Sequence, residues 1–177
     1  MGCSQAKIEP EALTPDDARI IRETWKMVGR EAYGEYGQRL MLRIFQKCPD
    51  IKALWQNPRV MNNNATTTAD DADAPNTANR WKMDLRNHGS KFFNSLDDLI
   101  SVVDKPEELF KMLHDIGNRH RGYEVKPEHI QAIVDGLNHT MEFGLRDKWT
   151  DNRQKSFQRL INIIVARTNR ALSGTEK

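Results

Sequence analysis

Residues 85–103, LRNHGSKFFNSLDDLISVV, carry the pattern that decides the fold. Leu85, His88, Phe92, Leu96, Leu99 and Val103 advance by three or four residues at a time, which is the inner stripe of a helix. Downstream, Asp104-Lys105-Pro106-Glu107-Glu108 reads as a cap and a restart. Leu109, Met112, Leu113, Ile116 and His120 then form a second inner stripe. Pro127 and Glu128 open a helix whose core face is Ile130, Ile133, Val134, Leu137 and Met141. Thr150 caps a last one, with Phe157, Leu160, Ile161, Ile164, Val165 and Leu172 on its apolar side.

Upstream, Thr14-Pro15-Asp16-Asp17 combines an N-cap residue, a proline at the first helical position and early acidic residues. Ile21, Trp25 and Val28 follow at helical spacing, so a helix is predicted over 15–29. Tyr33, Tyr36, Leu40, Met41, Ile44 and Phe45 mark another, ending at Cys48-Pro49, and Asp50–Trp55 a brief one. No period-2 segment with strand-like flanks occurs, so the fold class is all-α. Residues 56–79 are polar, poor in large apolar side chains and punctuated by Pro58 and Pro75. They read as a surface insertion. The division is a tail at 1–13, one domain at 14–173 and a short tail at 174–177.

Composition narrows the function. With 27 Lys+Arg against 25 Asp+Glu in 177 residues, neither net charge nor any basic block argues for nucleic acid. No apolar run reaches the length of a membrane span. Two cysteines, Cys3 and Cys48, make no disulfide framework, and with no apolar leader a cytoplasmic location is expected. No CxxC, HExxH, GxSxG or P-loop is present, so no catalytic residue is named. Among the five histidines, His114, His129 and His139 are expected to face solvent. His88 and His120 differ, because both fall in phase with apolar stripes on successive helices. Neutral imidazole is a preferred iron ligand, and an apolar pocket between two imidazoles suits haem.

The segments LTPDDARIIRETW, LMLRIFQKCPDIKALW, LRNHGSKFF and LHDIGNRHRGYEVKPEHI, with a closing NRAL, resemble the globins over nearly the whole chain. Neuroglobin, globin X and the intracellular globins of invertebrates are the branches resembled. The resemblance implies a three-over-three helical sandwich around one haem b. Residue by residue, it implies His120 as the proximal iron ligand and His88 as the distal histidine. Phe92, Lys91 and Met41 match distal-pocket and propionate positions. Ile116, Val125, Ile130, Ile133 and Ile161 match positions that line haem in the family, and core packing explains them equally well. Trp55 stands where globins place a haem-stacking phenylalanine, so either it packs on the macrocycle or the insertion after it rearranges that corner.

Such a pocket takes O2, CO or NO, with an N–H of His88 stabilising bound O2. If His88 instead binds the iron, it competes with the ligand. That arrangement suits redox, signalling or sensing roles better than bulk oxygen storage. A five-coordinate oxygen store is the alternative, as is an NO dioxygenase or nitrite reductase served by an external electron donor. The start Met1-Gly2-Cys3 adds an expectation of location. Gly2 suits myristoylation and Cys3 palmitoylation, although Ala6 stands where the motif has Ser or Thr. Two chains would hold the domain at the cytoplasmic face of a membrane.

Overall fold

The structure, a computed structural model, describes residues 13–55 and 77–174, with 77–81 described by their backbone alone. The proposed acylation sites Gly2 and Cys3, almost all of the polar insertion and the end of the C-terminal tail lie outside the described residues. Seven α-helices are present among the described residues: α1 (Pro15–Trp25), α2 (Tyr33–Lys47), α3 (Pro49–Trp55), α4 (Thr77–Ser101), α5 (Pro106–Arg121), α6 (Pro127–Leu145) and α7 (Asp151–Ser173). None of the described helices is long and apolar enough to cross a membrane.

The first helix is shorter than its apolar spacing predicts. Met27 and Val28 donate to the carbonyls of Thr24 and Trp25, a tighter turn than α-helix, and Gly29 is then extended (φ −69°, ψ 137°). The Thr24 hydroxyl also donates to the Ile20 carbonyl at 2.7 Å, a local bond that competes with helix continuation. The helix α4 begins earlier than its apolar stripe does, at Thr77, so the last residues assigned to the insertion are its first turn.

The start of α1 is tied to α7. Thr14 and Asp17 cap each other reciprocally, with Asp17 N–H donating to Thr14 Oγ1 (3.1 Å) and Thr14 N–H to Asp17 Oδ2 (3.0 Å). The other Asp17 oxygen accepts from Ser156 Oγ (2.8 Å) and an Arg159 guanidinium nitrogen (2.7 Å). Burial alone would raise the Asp17 carboxyl, but these bonds outweigh it and lower it to about 2. Beside this tie lies an aromatic cluster. Phe93 has no exposed surface, stacks on Trp25 at 5.8 Å and 15°, and meets Tyr33 at 5.5 Å.

The packing forms two layers, with α1, α4 and α5 on one side and α2, α6 and α7 on the other. The main contacts run between α2 and α4, α5 and α7, and α2 and α6. The α2–α4 contact depends on two glycines. A Cβ on Gly37 or Gly89 would overlap the backbone of the other, so the helices cross backbone to backbone. Gly89 follows His88 directly, and the crossing therefore sets where His88 stands.

Candidate functional site

His88, near the middle of α4, and His120, in the last turn of α5, face each other across an apolar cavity. Their ring centres are 6.5 Å apart and their planes cross at 76°. The His120 Nδ1 lies 2.8 Å from the Ile116 carbonyl oxygen, one turn back on its own helix. A carbonyl can only accept, so Nδ1 carries a proton and, in the neutral ring, Nε2 keeps its lone pair. This is the arrangement in which a histidine offers Nε2 to a metal. Burial first, then the neighbouring charges of His120 and Lys91, push the His88 imidazole down to about 4. At neutral pH it is uncharged and also has a nitrogen lone pair to offer.

The cavity has a volume of about 450 Å³, within the range of cofactor pockets. Met41, Trp55, Lys91 and Phe92 line it together with His88; Ile116, Val125, Ile130, Ile133 and Ile161 line it together with His120. The structure thus brings all the described candidate site residues around one cavity; Gly2 and Cys3 lie outside the described residues. Trp55 is buried, with 8% of its surface exposed, and its ring meets His88 edge-on at 4.8 Å. Lys91 is exposed and bounds the cavity together with Arg119, which is also exposed. An apolar slot, two opposed imidazoles and a pair of cations on its boundary suit a flat apolar ligand with a metal at its centre and an anionic edge.

Two of the three histidines expected at the surface are placed differently. His139 is exposed, while His114 is half-buried. His129 is a correction: only 4% of its surface is exposed, and it too lines the cavity. Its Nδ1 accepts the Lys126 N–H (3.1 Å) at the start of α6, so its Nε2 carries the proton and donates to Asp50 Oδ2 (2.8 Å) on α3. First-turn positions usually face water, but a partner from a distant helix covers this one.

Arg119, Tyr123 and Thr168 also line the cavity and were not singled out from sequence. Thr168 had a readable signal, standing four residues after Ile164 and seven after Ile161 on the same helical stripe. Arg119 and Tyr123 had only their nearness to His120. Among the described residues no group of three or more His, Cys, Asp or Glu side chains is placed to hold a bare metal ion.

Comparison with known proteins agrees with this fold. Neuroglobin of Dissostichus mawsoni is 22% identical over 156 residues, covering 88% of this chain and 90% of its own length. Cytoglobin-1 of Danio rerio is 22% identical over 171 residues, covering 96% and 91%. A crystal structure described as a hexacoordinated heme protein from an anhydrobiotic tardigrade superposes with a TM-score of 0.67 at 17% identity, covering 91% of this chain and 96% of that one. The Globin family model matches residues 38–168, from the second helix to the last and across His88 and His120. The chain belongs to the globin family.

Proposed function

We propose that this chain binds one haem b between His120 and His88 and that, without an external ligand, both imidazoles ligate the iron. The observation that carries this reading is the 6.5 Å ring separation. A metal-bound nitrogen sits roughly 2 Å from the metal and about 1 Å from its own ring centre, so two rings sharing one metal stand about 6–6.5 Å apart. A ring that only hydrogen-bonds to a ligand on that metal would stand roughly 2 Å further out. The spacing therefore favours direct ligation over a five-coordinate oxygen store.

When bound, haem supplies an iron that takes O2, CO or NO and changes oxidation state. Everything else falls to the protein. His120 presents Nε2 because the Ile116 carbonyl holds its other nitrogen protonated. The aliphatic wall excludes water, and Lys91 and Arg119 suit the propionates. His88 must swing aside before a ligand enters, and the apparent affinity is the intrinsic one multiplied by the fraction of molecules in which it has done so. Such a protein suits a redox, signalling or sensing role with an external electron donor.

Substitution tests this directly. His120→Ala should lose haem on purification, while His139→Ala should keep it. His88→Leu should convert the ferrous spectrum from sharp low-spin bands to one broad high-spin band and speed CO binding. An unchanged spectrum in His88→Leu would show that His88 never touched the iron. Location is a separate part of the proposal, supported by sequence alone. If Gly2 and Cys3 are acylated, wild type should pellet with membranes and Gly2→Ala should not; equal solubility of the two would remove the idea.

A further inference from the structure

The corner that holds Trp55 does more than close the cavity. Trp55 ends α3, and its indole has two described ring contacts: Phe45 of α2 at 6.2 Å and His88 of α4 at 4.8 Å, the planes in the second crossing at 70°. The His88 contact is the tightest of the described ring pairs. The indole N–H is buried without an acceptor among the described residues. A tryptophan kept by a hydrogen bond would not leave its one donor unmade. What holds this side chain in place is the contact of its rings.

The backbone beneath His88 has little freedom. Gly89 touches the backbone of Gly37 on α2, so α4 cannot slide along or away from α2 at that level without breaking the crossing. His88 therefore leaves its inward position by turning about its own side-chain bonds, and Trp55 lies edge-on against the ring that has to turn. Trp55 is itself located by Phe45 and, at the other end of its short helix, by the hydrogen bond from His129 to Asp50.

We propose that Trp55 is a positioning residue that holds the His88 ring toward His120 and thereby sets how readily an external ligand displaces it. The inference rests on the reading that His88 ligates the iron, and it assigns the control of that ligation to a residue that need not touch the metal.

The test uses the haem-loaded full chain in the ferrous, ligand-free state, as wild type, Trp55→Phe and Trp55→Leu. The readouts are the low-spin and high-spin shares of the visible spectrum and the CO binding rate. Trp55→Leu removes the edge-on ring, so the high-spin share and the CO rate should rise together by between about twofold and tenfold, the span such ring pairs contribute. Trp55→Phe keeps a ring edge against His88 and should fall between Leu and wild type. A purely structural role would lower haem retention and melting temperature without this ordered change in spin state. If the Leu variant does not retain haem, Trp55→Phe alone still reads the effect. A six-coordinate wild type whose variants keep its spectrum and CO rate overturns the role of Trp55 and leaves His88 ligation standing. A wild type that is five-coordinate overturns the ligation reading itself, and this one with it.

Discussion

At the junction of α1 with α7, both carboxylate oxygens of Asp17 are hydrogen-bonded, to Thr14, Ser156 and Arg159. The rings around Phe93 fill the space beside it. At the corner of α3 and α4, by contrast, a tryptophan N–H is buried with no acceptor among the described residues. A neutral imidazole there borders a cavity large enough for a cofactor. Both regions are mostly apolar and both join distant parts of the chain. The first has its polar groups satisfied and its space filled, so its interactions go entirely into stability. The second keeps space and unused lone pairs, which cost stability and are tolerated where a ligand is to be taken up.

Adjacent phenylalanines on α4 test that contrast most strongly. Phe93 is fully buried among Trp25, Tyr33 and Tyr36, whereas Phe92 is half-buried and lines the cavity. Phe93→Ala should cost about 3–5 kcal/mol in denaturant unfolding, because it opens a void in a filled region. Phe92→Ala, measured on the haem-free protein, should cost less than half of that, since it enlarges a space that already exists. Equal losses would mean that the two regions are not packed differently.

Asp17 gives a smaller effect with a pH signature. Asp17→Ala removes the carboxylate half of the reciprocal cap of α1, leaving the Thr14 half, and takes that acceptor from Ser156 and Arg159, for a loss of about 2–4 kcal/mol. Its folded carboxyl lies near 2 against an ordinary 3.8. A lowered value means that the charged form stabilises the fold, so this contribution is complete above the unfolded value. It is lost as pH falls from about 4 toward 2. Wild type should therefore lose stability across that window faster than Asp17→Ala does, and the variant's haem spectrum at neutral pH should match wild type. Parallel acid unfolding curves would remove Asp17 as the cause.

Local spacing made much of this legible. The helical phase of Leu85, His88 and Leu96, and of Leu109, Leu113 and His120, needs only neighbours three or four residues away, so the two opposed imidazoles could be picked out. Phase could not identify Phe93. It stands beside Phe92, about 100° round the helix, and is buried because α1 and α2 cover α4 from two sides, which widens the apolar stripe. His129 failed for a related reason: its cover, Asp50, comes from 79 residues away. The edge-on meeting of Trp55 with His88 is likewise a matter of helix packing, fixed by the glycine crossing beneath it, and no local pattern encodes it.

The smallest predicted effect joins the two kinds of region, because the Asp50–His129 bond is a fully made interaction beside the unfinished corner. His129 donates from Nε2 to Asp50 and accepts the Lys126 N–H at Nδ1, so one ring caps the start of α6 and holds the start of α3. The hydrogen bond from His129 is the main reason the Asp50 carboxyl lies below its ordinary value. Asp50 itself is exposed, so water screens the bond and its worth stays near the low end of such interactions. Asp50→Ala should cost about 0.5–1 kcal/mol, and Asp50→Asn, which keeps an acceptor for the ring N–H, about half as much. Because Trp55 closes the same seven-residue helix, Asp50→Ala should also raise the high-spin share slightly, in the same direction as Trp55→Leu and by less. A larger spectral change in Asp50→Ala than in Trp55→Leu would mean that α3 as a whole, and not the indole ring, governs His88.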